Sequence, residues 1–275
     1  MNNLRQVFQG GKAFIPFITA GDPNMEITEQ LVIQMAQAGA DLVEIGIPFS
    51  DPVAEGEVIQ RADARALAGG VTTDKIFEMV GRIRKSCSVP IAFMSYVNPI
   101  FTYGVERFMK ACESVGVQAV IVPDVPFEEK NELLPICLKY NVALISMIAP
   151  TSSERIRMIA KEAQGFIYCV SSMGVTGVRQ EISTDAREMI RLVKEVSDIP
   201  CAVGFGISTP EQAAKIVEFS DGVIVGSAIV KIAEQYGTDC VSHVVEYVRM
   251  MKNAIKATDA SDASDAPGTP GNGGQ

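Results

Sequence analysis

The chain predicts an α/β fold, a (β/α)8 barrel of the TIM type, on three observations. Short runs rich in Val, Ile, Phe and Tyr alternate eight times with amphipathic helical stretches. No composition shift marks a second domain inside residues 1–256. Polar and glycine-rich segments follow the apolar runs, where a parallel barrel keeps its ligand-binding loops. Strands joined by helical crossovers pair in parallel, and eight of them close naturally into a barrel. A doubly wound open sheet is the other arrangement the pattern allows.

The strands are expected at Ala13–Thr19, Asp41–Gly46, Pro90–Tyr96, Ala119–Pro123, Val142–Ile148, Phe166–Ser171, Pro200–Gly204 and Gly222–Val225. None is long enough for a core helix. Between them, Asn24 is placed to cap a helix with the apolar stripe Ile27, Leu31, Val32 and Met35, which Gly39 ends. Thr151-Ser-Ser-Glu154 and Thr209-Pro-Glu-Gln212 both have the capping-box pattern, the second with proline at the first helical position. Val241, Val244, Val245, Val248 and Met251 give the last helix its apolar face. From Ala257 to Gln275 the chain is low in complexity and nearly free of large apolar groups, so this tail is expected to be disordered.

At 275 residues and 47% hydrophobic content, the chain can bury one large core. Its net charge of −9, with no basic block, argues against nucleic acid or an anionic membrane as partner. Any anionic ligand must be held by a local device. Six scattered cysteines without a C-x-x-C pair read as thiols in a reducing compartment. With no charged-then-apolar leader and no apolar run of roughly 18 residues, a soluble cytoplasmic protein is expected. One histidine, His243, lies in the last helix, so no metal site is expected and catalysis falls to carboxylates.

Glu44 stands out, a lone carboxylate in the apolar strand Asp41-Leu-Val-Glu-Ile-Gly46. Alternation places it on one face with Leu42 and Gly46. Burial would raise its pKa toward the range useful for acid–base work. A buried ion pair is the competing explanation, but the candidate strands contain neither Lys nor Arg. The following loop, Pro48 to Gly56, brings Asp51 and Glu55 to the same barrel mouth, where two carboxylates can divide acid and base roles. Gly204-Phe-Gly206 and Gly226-Ser227 leave the seventh and eighth strands at helix N-termini. There, backbone N–H groups and the helix dipole favour an anion. With Met173-Gly-Val-Thr-Gly177 after strand six, they point to a phosphate site that needs no lysine. Phe17, Met94, Tyr96, Ile148, Tyr168 and Phe205 are candidates for an apolar pocket between phosphate and carboxylates.

Seven segments carry a family resemblance: Ile15 to Asp22, Val43 to Pro52 (VEIGIPFSDP), Met94 to Ile100, Pro123 to Pro126, Gly174 to Gly177, Gly204 to Ser208 and Val225 to Ala228. In order and spacing they resemble the tryptophan synthase alpha chain family, over about Phe14 to Ile255. The resemblance implies a retro-aldol lyase that splits indole-3-glycerol phosphate into indole and glyceraldehyde 3-phosphate. By the same resemblance Glu44 matches the acid–base glutamate, Glu55 the second carboxylate at the indole N–H, and Tyr168 the tyrosine beside the substrate. Phe17, Tyr96, Ile148, Thr176 and Phe205 would contact the substrate, and Gly177, Gly206, Gly226 and Ser227 would clasp the phosphate. No cofactor is implied in this chain. Pyridoxal phosphate would belong to a beta chain, the partner in an alpha2-beta2 complex, with Asp51, Pro52 and Asn98 at the contact. Three positions depart from the family pattern. Glu55 replaces aspartate and Glu57 replaces proline in the motif A-D-G-P, and Ser172 stands where arginine is common. They leave room for a second reading, a catalytically weak, ligand-binding subunit that activates the beta chain.

Overall fold

All eight strands form, and they close in sequence order into a parallel barrel with β8 beside β1. The computed structural model describes residues 4–170, 181–204 and 206–264, with the backbone alone for 181–184 and 259–264. The strands are β1 (Ala13–Thr19), β2 (Val43–Gly46), β3 (Ile91–Met94), β4 (Ala119–Ile121), β5 (Ala143–Ile148), β6 (Ile167–Val170), β7 (Cys201–Gly204) and β8 (Gly222–Val225). The helices are α1 (Met25–Gln37), α2 (Glu57–Ala68), α3 (Thr73–Ile83), α4 (Val97–Tyr103), α5 (Val105–Val115) and α6 (Leu134–Lys139). They continue with α7 (Ser153–Glu162), α8 (Glu181–Lys194), α9 (Pro210–Val217), α10 (Ser227–Tyr236) and α11 (Cys240–Ser264).

Alternation along the strands sorts the core into two layers. Ala13, Ile15, Leu42, Ala92, Ala119, Ile121, Ala143, Ile145, Tyr168, Ala202 and Ile224 fill the barrel. Their neighbours Phe14, Val43, Ile45, Phe93, Val120, Cys169 and Val203 pack outward against the helices. Small residues, Ala13, Ala92, Ala119, Ala143 and Ala202, occupy much of this inner layer. A Cβ at Gly222 would lie 2.8 Å from the Ala13 carbonyl. A short 3-10 turn, Leu4–Phe8, plugs the Gly222 end of the barrel, with the Phe8 ring 5.6 Å from Phe166. The terminal helix α11 straps the plugged end. Its buried Lys252 ammonium reaches Asp41 at 2.6 Å, while Asp41 also accepts from the Phe14 amide at 2.7 Å.

Asn24 caps α1 by accepting from the Ile27 amide, and Gly39 follows the helix at φ +109°. Thr209 and Gln212 close a reciprocal capping box on α9. At α7, however, the cap is Ser152, which accepts from Arg155 N, so the box expected at Thr151 and Glu154 does not form. The motif contains three adjacent hydroxyls, and the helix starts after the second. At the C-terminus, α11 runs on to Ser264, past the expected start of disorder at Ala257. Thr258 Oγ1 donates to Ala254 O at 3.2 Å, within a helix that is already nucleated and adds residues at small cost. Residues 265–275 lie outside the described part.

Candidate functional site

The C-terminal ends of the strands enclose a cavity of about 610 Å³. Phe17, Glu44, Glu55, Tyr96, Tyr168, Gly206, Gly226 and Ser227 line it, so the structure gathers these expected site residues into one pocket. Thr176, Gly177, Phe205 and the variant position Ser172 lie outside the described residues. Ile148 is a correction. It points outward into the layer between barrel and helices, and Met147 takes the place on the cavity wall. Alternation along β5 gives the inner face to Ala143, Ile145 and Met147.

Glu44 is 1% exposed and lies beside Phe17 in the β1–β2 register. One of its carboxyl oxygens, Oε2, has no hydrogen-bond partner among the described residues. Burial raises its pKa to about 8, and the charge of Glu55 adds to the push. The carboxyl is therefore neutral at pH 7, buried in its proton-carrying form. Burial also holds the Tyr168 phenol protonated, with the charge of Glu44 acting in the same direction. Tyr168 rests directly on β7. A Cβ at Gly204 would lie 2.5 Å from the Tyr168 hydroxyl oxygen. Gly204→Ala is expected to displace Tyr168 and destabilise the fold by about 1–3 kcal/mol. Urea unfolding checks this, and an unchanged midpoint would show that the tyrosine moves aside freely.

The raised pKa of Glu44 has a consequence for stability. The fold favours the neutral carboxyl, so this contribution is complete below the ordinary carboxylate range. It is lost as pH rises from there through about 8. Denaturation midpoints across pH 5–9 are expected to fall for the native chain. They should fall less for Glu44→Gln, and identical slopes would refute the assignment.

Glu55 enters the cavity from the end of the β2–α2 loop, where Tyr96 donates a hydrogen bond to it and Asp63 lies within hydrogen-bonding reach. The Tyr96 hydroxyl in turn accepts from the Ala54 amide at 3.1 Å, which fixes the end of the loop. Asp63 was not anticipated from the sequence. It is 3% exposed, and burial raises its pKa to about 9. The available signal was helical spacing, because Ile59, Ala62, Asp63 and Ala66 share the inward stripe of α2.

At the opposite side, Gly226 caps α10 and Ser227 opens it. The amides of Ile229 and Val230 both return to the Gly226 carbonyl, at 2.8 and 3.1 Å. The amides of Ser227 and Ala228 precede this ladder at the cavity wall, as the first N–H groups of a helix do. Gly206 adds a turn at φ +76°, a conformation that favours glycine. A Cβ at Gly226 would approach the Phe17 ring at 3.2 Å, so glycine is also needed for packing. Lys231, one turn into α10, also lines the cavity, a cation the sequence reading did not include.

Asp51, Pro52 and Asn98 are not part of this pocket. Asp51 and Asn98 are exposed on the β2–α2 loop and α4. Beside them stand two exposed apolar side chains, Val53 (79%) and Phe101 (49%). No helix among the described residues is long and apolar enough to cross a membrane.

A family model for the tryptophan synthase alpha chain matches residues 3–257. The alpha chain of Lacticaseibacillus casei is 45% identical over 257 residues, covering 94% of this chain and 97% of that protein. That of Lactiplantibacillus plantarum is 44% identical over 256 residues, covering 93% and 97%. Among solved structures, the alpha subunit from Legionella pneumophila superposes with a TM-score of 0.85 at 37% identity, covering 94% of this chain and 99% of that one. A chain of the tryptophan synthase a2b2 complex from Pyrococcus furiosus superposes with a TM-score of 0.82 at 34% identity, covering 88% and 99%. The barrel, the buried glutamate on β2 and the glycine-framed start of α10 thus occur together with near full-length similarity, and the chain belongs to the tryptophan synthase alpha chain family.

Proposed function

We propose that this lyase performs the retro-aldol cleavage of indole-3-glycerol phosphate with Glu44 as its acid–base group. One observation carries the reading: a neutral, buried carboxyl faces an apolar cavity whose other side is a helix N-terminus. The phosphate rests on the amides of Ser227 and Ala228, with Gly206, Gly226 and, from the segment outside the described residues, Gly177. The indole ring lies against Phe17, Tyr96 and Tyr168, with Thr176 and Phe205 as further contacts. Glu44 gives its proton to indole C3, which makes the ring electron-deficient. The carboxylate so formed takes the proton of the side-chain hydroxyl as the C–C bond breaks and the aldehyde forms. Glu44 ends as it began, protonated. Glu55 accepts from the indole N–H, whose acidity rises as positive charge develops.

Under this cycle the free enzyme must carry the Glu44 proton. The kcat/KM for cleavage is therefore expected to fall on the alkaline side of about pH 8. A flat profile from pH 7 to 9.5 would remove Glu44 from that role.

The partner is a tryptophan synthase beta chain in an alpha2-beta2 complex. Asp51, Pro52 and Asn98 lie at the contact, together with the exposed Val53 and Phe101. Pyridoxal phosphate belongs to that partner, and this chain's reaction needs no cofactor. The cytoplasm is the proposed location, since a reducing compartment suits six free cysteines. Indole release from indole-3-glycerol phosphate, with and without the beta chain, tests the activity. Ligand binding with no release under either condition would leave only an activating subunit.

A further inference from the structure

The cleavage as described gives Asp63 no task, yet Asp63 lies buried against the cavity wall formed by Glu55. It projects from the second turn of α2 and is within hydrogen-bonding reach of Glu55. The Phe49 amide donates to Asp63, and the Tyr96 hydroxyl donates to Glu55. After these donors are counted, one buried oxygen of each carboxyl, Oε2 of Glu55 and Oδ2 of Asp63, still has no partner among the described residues. Two carboxylates cannot satisfy each other, because neither has a hydrogen to donate. The other titratable groups around the pair are Glu44, Tyr96 and Asp22, with Asp124 acting on Tyr96. Both cations on the same helix are occupied: Asp22 holds Arg65 at two points, both 2.8 Å, and Glu234 holds it at 2.8 Å, while Arg61 is held by Glu234 at 2.7 and 2.8 Å.

We propose that Asp63 and Glu55 share one proton, resident on Asp63, and that Asp63 is a positioning residue that presents Glu55 to the indole N–H as an oriented anion. The proposal rests on the reading of Glu55 as the second carboxylate of the lyase. The Asp63 hydroxyl donates to one Glu55 oxygen and leaves the other to accept from the substrate. It thereby holds in place a side chain one methylene longer than the family's aspartate. The proton stays on Asp63 throughout, and no bond to it is broken in the cycle. Burial raises the pKa of both carboxyls; at Asp63, with the charge of Glu55 second, it reaches about 9, whereas at Glu55 the hydrogen bonds from Asp63 and Tyr96 oppose the rise. The arrangement also reduces the charge that a dianionic substrate meets.

The test uses the full chain with 13C-labelled aspartate carboxyls, followed by NMR across pH 5–10. One aspartate resonance is expected to stay in the protonated position at pH 7, to titrate near pH 9 and to be missing in Asp63→Asn. Asparagine can still donate to Glu55, so Asp63→Asn should keep kcat/KM within roughly threefold, whereas Asp63→Ala should lose on the order of tenfold. If every aspartate titrates in the ordinary carboxylate range, proton sharing is refuted. If Asp63→Asn is as damaging as Asp63→Ala, the positioning role is refuted. Glu55→Gln separates this from the reading beneath it. Native indole release in that variant would overturn the role of Glu55, and the presenting role of Asp63 with it, whatever the resonance shows.

Discussion

Replacing Glu44 with glutamine is expected to lower kcat for indole release by on the order of 10²–10⁴-fold, the usual contribution of a positioned acid–base group. The fold should tolerate the change well. Glutamine has the shape of the neutral carboxyl that Glu44 already presents at pH 7, and burial holds the pKa near 8. Thermal midpoints of the two proteins should therefore coincide only below the ordinary carboxylate range, with the variant more stable at neutral pH and above, because unfolding lets Glu44 ionise. KM should change little, because the apolar walls and the start of α10 carry the ground-state contacts. A glutamine variant that retains release within about tenfold would move the proton chemistry to another group, and Glu55 would be the first to examine.

Ser227→Asp is expected to raise KM by on the order of a hundredfold or more, by setting a carboxylate against the substrate phosphate at close range. The same change should leave the protein equally stable or slightly more so. Ser227 is the first residue of α10, where a negative side chain interacts favourably with the helix dipole, by about 0.3–1 kcal/mol. Opposite signs for binding and stability distinguish an anion site from a merely structural turn. The measurement pairs KM for indole-3-glycerol phosphate with the thermal midpoint of the unliganded chain. An unaltered KM would move the phosphate away from α10, toward Gly206 or the segment that contains Gly177.

Hydrophobic alternation located every strand, and β1 and β8 match to the residue. The others were drawn too long by one to two residues at one or both ends, in part because Pro90, Pro123 and Pro200 are apolar but have no N–H for the ladder. Side-chain alternation puts Glu44 on one face with Leu42 and Gly46, and in the structure that face is the barrel interior, where the register sets Glu44 beside Phe17. Ile148 is a pocket candidate by its place at a strand end and by the family resemblance, but strand parity turns it outward in the structure. Asp63 escaped notice for another reason. It lies beyond the β2–α2 loop, on the inward stripe of α2, which is apparent only with a helical period. No local pattern could show that Glu55 and Asp63 meet, because their pairing depends on how α2 packs over the barrel mouth.

The carboxyl pair and the phosphate cradle sit on two helices that are latched together. Glu234, on the same helix as Ser227, accepts from Arg61 at 2.7 Å and from Arg65 at 2.8 Å, and these two arginines flank Asp63 on α2. Each contact is partly exposed and weak alone, but Asp22 ties Arg65 to the β1 loop as well. Under the proposed assignment of the two ends, such a latch would link occupancy at one end of the pocket to occupancy at the other. An anion that stiffens α10 tightens the hold on an indole ring, and linkage requires the ring to tighten the anion by the same factor. Once cleavage severs the ring from the phosphate, neither fragment has its covalent tether, and departure of the first loosens the grip on the second.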